Sequence, residues 1–214
     1  MPAVIRRLRP ILLAPLALSL LTVACGDNSS SAGKCAAADG SSPKTTTFSS
    51  EPPNCLTEGK QYTATIETNQ GTLHVTLRAD IAPLTVNNFV NLARFHFFDS
   101  SPCRRAVKNF VVQCGDPTGT GGPGYTIADE LSKIEPYQIG SLAMANSGVP
   151  DSGGSQFFII TGDDGAALPP DYTLFGQVDD NDMGVVQALD AVANPEDGPP
   201  LQPIDITRIS IDEK

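Results

Sequence analysis

Residues 62–77 carry the pattern that most narrows the choice of fold. Ala64, Ile66 and Thr68 alternate with Thr63, Thr65 and Glu67; after Asn69-Gln70-Gly71, Leu73, Val75 and Leu77 alternate with Thr72, His74 and Thr76. A period of two sends successive side chains to opposite faces of a strand, so the segment reads as a hairpin with one face buried. His74 falls on the polar face, as a solvated strand residue. Eighteen prolines and nineteen glycines punctuate the 214 residues. Turns that frequent predict a loop-rich β protein and exclude a coiled coil or helical bundle. Two segments change period. Pro83 can open a helix, since the first helical position needs no N–H, and Val86, Phe89, Val90 and Ala93 follow at helical spacing. Residues 182–193 form a second helix, with Val185, Val186, Leu189 and Val192 on one side. The last strand is expected over 204–211. His96, in the aromatic turn Phe95-His96-Phe97-Phe98, is assigned to packing, because no carboxylate or nucleophile stands at a partnering spacing.

The first sixty residues are of another kind. Arg6, Arg7 and Arg9 precede an apolar run over 11–23, too short to span a bilayer comfortably and patterned like an export signal. It ends in Leu21-Thr22-Val23-Ala24-Cys25-Gly26, which resembles a bacterial lipobox with Thr22 where Leu is more usual. The expectation is a signal peptide over 1–24, cleaved so that Cys25 is diacylated and anchors the chain. Two acyl chains hold a protein stably where one is marginal. Ordinary cleavage with Cys25 incidental is the alternative. Residues 25–59 hold few large apolar side chains, cannot bury enough surface to offset chain entropy, and read as a flexible tether. The ordered domain is expected over 60–214.

Formal net charge is −10, and loss of the leader's three arginines makes it more negative. That excludes a nucleic-acid backbone as partner, which requires a Lys/Arg surface. Two histidines argue against a histidine-built metal centre. The chain is expected as a monomer outside the cytoplasm, lipid-anchored to the cell membrane.

If Cys25 carries lipid, Cys35, Cys55, Cys103 and Cys114 remain. An even number in an exported protein favours disulfides. Three pairings are possible, and the local one, Cys35–Cys55 with Cys103–Cys114, is the simplest. A two-residue turn at Lys108-Asn109 would place Val107 opposite Phe110 and Cys103 opposite Cys114, within disulfide reach. Two buried free thiols are the alternative there.

Four blocks carry the chemistry. Arg104-Arg105-Ala106-Val107-Lys108-Asn109-Phe110-Val111-Val112-Gln113-Cys114-Gly115-Asp116 resembles the cyclophilin signature, whose core reads F-H-R-x-I/V-x-x-F-M/V-x-Q-G-G-D. Gly140-Ser141-Leu142-Ala143-Met144-Ala145-Asn146-Ser147-Gly148, Gly153-Gly154-Ser155-Gln156-Phe157-Phe158-Ile159 and Tyr172-Thr173-Leu174-Phe175-Gly176-Gln177-Val178 resemble further blocks of that family, in order and at matching separations. The likeness runs from about Tyr62 to Ile211. It implies a closed eight-stranded antiparallel β-barrel capped by two helices, and the activity of a peptidyl-prolyl cis–trans isomerase.

Rotation about an X–Pro amide faces a barrier of about 18–20 kcal/mol from C–N double-bond character. No bond breaks, so neither nucleophile, metal nor cofactor is required. A fixed cation bonded to the twisted amide, whose nitrogen lone pair is localised, stabilises it more than either planar form. Arg105 matches the family's catalytic arginine, and its guanidinium is charged at any relevant pH. Phe110, Val111, Phe158 and Leu168 match the lining of the proline pocket. Gln113, Asn146 and Gln156 match its polar rim, and Ala145 would offer backbone to a peptide. Gly119-Thr120-Gly121-Gly122 matches a glycine loop beside the groove; no Gly-Lys-Ser/Thr follows, so it is not a phosphate loop. Three departures stand out: Arg104 replaces a His, Ala167 stands where many eukaryotic members have Trp, and Tyr172 replaces a pocket His. The implied partners are proline-containing polypeptides. A surface scaffold that binds such peptides without turnover is the alternative.

Overall fold

The computed structural model describes residues 33–119, 121–131 and 135–214; the leader and Cys25 lie outside the described residues. Strands β1 (Tyr62–Thr68) and β2 (Gly71–Leu77) form the expected hairpin. Tyr62, Ala64, Ile66, Leu73, Val75 and Leu77 are buried while Thr72, His74 and Thr76 face water. Then come α1 (Pro83–Arg94), β3 (Ser101–Pro102), β4 (Arg105–Val107), β5 (Val111–Cys114), β6 (Ser141–Met144) and β7 (Phe157–Ile160). After these follow α2 (Asp163–Ala166), β8 (Leu174–Val178), a 3-10 turn (Asp180–Asp182), α3 (Met183–Ala191) and β9 (Asp205–Glu213). Pro83 opens α1 as expected. The second expected helix is α3, and α2 is an additional short one.

The strands form one antiparallel sheet in the order β3-β9-β1-β2-β8-β6-β7-β5-β4. It has nine strands rather than the eight expected, and no ladder joins β3 to β4 among the described residues. Its curl nevertheless follows from connectivity. Flat, a nine-stranded sheet would set its edges about 38 Å apart, at about 4.8 Å per strand. Here the two edge strands are consecutive in the chain, separated only by Cys103 and Arg104, which span about 11 Å at most. The sheet must therefore bend its edges together, and the Cys103–Cys114 disulfide (Cα–Cα 4.1 Å) ties the seam to β5.

The β4–β5 register differs by one residue from that expected. Val107 pairs with Val111 and Arg105 with Gln113. Lys108, Asn109 and Phe110 make the loop, closed by the Phe110 N–H to the Val107 carbonyl (3.1 Å), with Asn109 at φ 58°. Asparagine enters the left-handed region more readily than other non-glycine residues. Cys103 is thus not directly opposite Cys114, although the bridge forms.

The expected flexible tether gives way, over 33–59, to a strap laid on the sheet and α1. It has no helix or strand, but Ala36 and Phe48 are buried and Cys35 is bonded to Cys55. Phe48 packs against Phe95, Phe97 and Tyr125, with ring centroids 5.4–6.3 Å apart. The polar side of α1 is not a solvated face: two of its three asparagines fasten the strap, and Asn88 bonds Gly154 and Tyr125. Asn91 Oδ1 accepts from the Ala36 N–H (2.8 Å); Asn87 accepts from the Cys55 N–H (2.7 Å) and donates to the Pro53 carbonyl (2.9 Å). The strap thereby satisfies buried amides that would otherwise be costly. His96 also differs from expectation, since its ring lies 2.9 Å from Asp99, a carboxylate three residues on, and 2.8 Å from the Gly40 carbonyl of the strap.

Phe48→Ala is expected to lower unfolding free energy by roughly 3 kcal/mol, the usual cost of deleting a buried aromatic. Urea denaturation measures it; a loss within about 0.5 kcal/mol, as for exposed positions, would mean that the strap is not part of the folded unit.

Candidate functional site

Period-two alternation assigns the two faces of the curled sheet to different tasks. Along β7, Phe157 and Ile159 enter the main core while Phe158 and Ile160 join a second apolar cluster on the other face. Along β5, Val112 and Cys114 point to the main core and Val111 to the second cluster; on β6, Leu142 and Met144 oppose Ala143 in the same way. The main core is filled by aromatic rings from several elements, with Phe89 of α1 5.4 Å from Phe157 and 5.3 Å from Phe175.

The outer face holds the site. Ladder partners run Arg105↔Gln113 from β4 to β5, Gln113↔Phe158 from β5 to β7, and Phe158↔Ala143 from β7 to β6. Four strands thus set a guanidinium, an amide, an aromatic ring and the Ala143 methyl in one transverse row. The row borders a cavity of about 260 Å³ lined by Arg105, Phe110, Val111, Gln113, Ala145, Asn146, Phe158, Leu168 and Tyr172. These nine residues are all among those singled out in the sequence. Val111 and Phe158 are buried, and the other seven are partly open. Arg105 supplies the only charge among them.

The walls are fixed from behind. The Phe110 carbonyl accepts from the Thr161 N–H (3.0 Å), and a Cβ on Gly165 of α2 would collide with that carbonyl. That close approach lets the β4–β5 loop rest on α2, which leads directly to Leu168. Tyr172 stands edge-on to Phe158, with centroids 5.2 Å apart at 85°. Its backbone is clamped by Tyr137, whose hydroxyl donates to the Tyr172 carbonyl (2.6 Å) and accepts from its N–H (3.0 Å). Burial raises the pKa of the Tyr137 hydroxyl, so it stays a neutral donor.

The polar rim is made of side-chain amides, two of them linked. Gln113 Nε2 donates to Gln156 Oε1 (2.8 Å), and Gln156 Nε2 donates to the Gly121 carbonyl (2.8 Å). Asn146 Nδ2 donates to the Asp171 carbonyl (3.0 Å). Gln156 lies beyond the small cavity, in an adjoining groove of about 610 Å³ that shares Gln113, Ala145 and Asn146 with it. Gly121, Pro123 and Tyr125 also line this groove, as does Thr47 of the strap.

Arg105 is paired. Its Nε and Nη2 donate to Asp197 Oδ1 and Oδ2 at 2.7 and 2.8 Å, and its guanidinium lies 5.5 Å from the Phe110 ring centroid. The pairing raises the pKa of Arg105 and holds the Asp197 carboxyl below the usual range. Arg104, one of the three departures from the resemblance, turns to the glycine loop: Nε donates to the Asp116 carbonyl (3.2 Å) and the guanidinium lies over Gly119. Among the described residues, no three His, Cys, Asp or Glu are grouped to hold a metal ion.

Sequence reasoning missed Asp197, Tyr137 and Thr47. Asp197 is 92 residues from Arg105 in a proline-rich loop that carries no recognisable signal. Tyr137 acts through its hydroxyl on backbone, and Thr47 belongs to the segment read as tether.

Comparison with known proteins agrees with this geometry. The family model described as cyclophilin type peptidyl-prolyl cis-trans isomerase/CLD matches residues 63–211. "Peptidyl-prolyl cis-trans isomerase A" of Mycobacterium tuberculosis is 39% identical, over 70% of this chain and 91% of its own length. "Probable peptidyl-prolyl cis-trans isomerase B" of Mycobacterium leprae is 35% identical over 73% of this chain, which spans only 59% of that longer relative. A crystal structure of a Cryptosporidium parvum cyclophilin type isomerase, obtained in the presence of the dipeptide Ala-Pro, superposes with TM-score 0.64 at 29% identity, covering 71% of this chain and 99% of that one. With the signature blocks gathered on one face of a curled antiparallel sheet, the chain belongs to the cyclophilin-type peptidyl-prolyl cis–trans isomerase family.

Proposed function

We propose that the chain accelerates rotation about X–Pro bonds in exported polypeptides, with proline in the small cavity and Arg105 acting on the twisted amide. The observation that carries this reading is the transverse row of Arg105, Gln113 and Phe158 bordering a cavity in which the apolar side chains of Phe110, Val111, Phe158 and Leu168 meet polar groups and a single charge. Phe110, Val111, Phe158 and Leu168 enclose a prolyl ring, burying apolar area that does not change as the amide rotates. Gln113, Asn146 and Gln156, with the backbone of Ala145, hold the flanking peptide and keep one side of the rotating bond still. Free N–H groups on Arg105 then bond the amide where its lone pair localises. They act in the twisted state more than in either planar one, which is what lowers a barrier.

The curled sheet corresponds, on this reading, to the family's barrel, closed at the β3–β4 seam by chain connectivity. Cys25 carries two acyl chains and places a monomeric domain outside the membrane, where it meets newly exported, proline-containing chains. The acidic net charge keeps the domain soluble there.

Two experiments test this. Exchange NMR on a short X-Pro peptide is expected to show fast isomerisation by the full-length chain in detergent. Arg105→Ala is expected to lower kcat/KM by on the order of 10²–10³-fold, the scale of losing one preorganised donor. Near-normal turnover in that variant would overturn the role of Arg105, and peptide binding without acceleration in the unaltered chain would favour a scaffold. Separately, Cys25→Ser is expected to move the protein from membrane to soluble fraction and abolish incorporation of labelled palmitate; unchanged membrane association would refute the anchor.

A further inference from the structure

We propose that Asp197 is a positioning residue for Arg105, fixing which edge of the guanidinium faces the proline cavity. The proposal rests on the reading that Arg105 acts on the amide. Asp197 takes the Nε–H and one N–H on Nη2 in a bidentate pair. Both N–H groups on Nη1 and the second on Nη2 remain, and they lie at the far end of the planar fork. The flexible arginine side chain is thereby held with one donor edge occupied and the other free. Its plane is further restrained by the Phe110 ring at 5.5 Å.

The placement of Asp197 is built rather than incidental. Residues 194–198 run along the outer edge of β4, with the Asn194 N–H to the Ala106 carbonyl (2.9 Å), the Lys108 N–H to the Asn194 carbonyl (2.8 Å) and the Ala106 N–H to the Gly198 carbonyl (3.0 Å). These bonds close an otherwise open strand edge and set Asp197 next to Gly198, opposite Arg105. Asn194 stiffens the loop from within, donating to the Pro199 carbonyl (3.1 Å) and accepting from the Glu196 N–H (3.0 Å). Pro195, Pro199 and Pro200 reduce its freedom further. The Asp197 side chain is 68% exposed, and an ion pair that open contributes little to stability. What the pair does contribute is orientation at the atoms that meet the peptide.

The test is a double-mutant cycle on the full-length chain in detergent, read by exchange NMR on an X-Pro peptide. Asp197→Ala is expected to lower kcat about tenfold, the order expected from misorienting a catalytic donor, with KM within about twofold. Asp197→Asn, which keeps one acceptor, is expected to fall between. Added to Arg105→Ala, the Asp197→Ala change is expected to have no further effect, because Asp197 acts only through that guanidinium. The Arg105 Nε–H signal, shifted and slow to exchange with water in the unaltered protein, is expected to lose both properties in Asp197→Ala. Turnover in Asp197→Ala equal to or above that of the unaltered chain overturns the proposal alone, as does an equal loss in the Arg105→Ala background. Normal turnover in Arg105→Ala overturns it together with the reading on which it rests.

Discussion

The site depends on the registry of four short strands whose two faces are both covered. A strand offers its side chains alternately to two sides, and β4, β5, β7 and β6 lend one side to the aromatic core and the other to the cavity. A one-residue slip in any ladder would exchange these sets. Gln113 and Phe158 would turn inward, and Val112 and Phe157 outward, with apolar surface and hydrogen-bonding groups both misplaced. Burial on both faces therefore sets the positions of Arg105, Gln113 and Phe158.

The rest of the chain supports that row. The link between β3 and β4 bends the sheet, and the Cys103–Cys114 bridge joins the bend to β5 two residues from Arg105 on one side and one residue from Gln113 on the other. The loop over 194–198 occupies the free edge of β4 and delivers Asp197. The strap covers α1 and meets the loop beside the groove, where the Phe48 N–H donates to the Pro123 carbonyl (2.8 Å). A segment without helix or strand is thus part of the wall a bound peptide would face, through Thr47.

What the sequence disclosed, and what it withheld, follows from the range of the interactions involved. The β1–β2 hairpin, α1 and α3 were legible because each is written in a local period of apolar residues. The family blocks then named the residues around the cavity, which no periodicity would have grouped. The β4–β5 register was missed because Phe110 was assigned to a strand, whereas Asn109 at positive φ draws it into the loop. The strap was missed because two large apolar residues, Phe48 and Leu56, do not raise the mean of so polar a segment; its anchorage lies in Asn87 and Asn91 of α1, outside the apolar stripe that marks that helix. Asp197 left no trace, since only the folded loop brings it to Arg105.

The most direct test of the central claim is a crystal structure of the chain with the dipeptide Ala-Pro. The account predicts the prolyl ring between Phe110, Phe158 and Leu168, and an Arg105 Nη atom within hydrogen-bond reach of the peptide, with Asp197 still paired on the opposite edge. A prolyl ring in the larger groove beside Gly121 and Pro123, out of reach of Arg105, would contradict it.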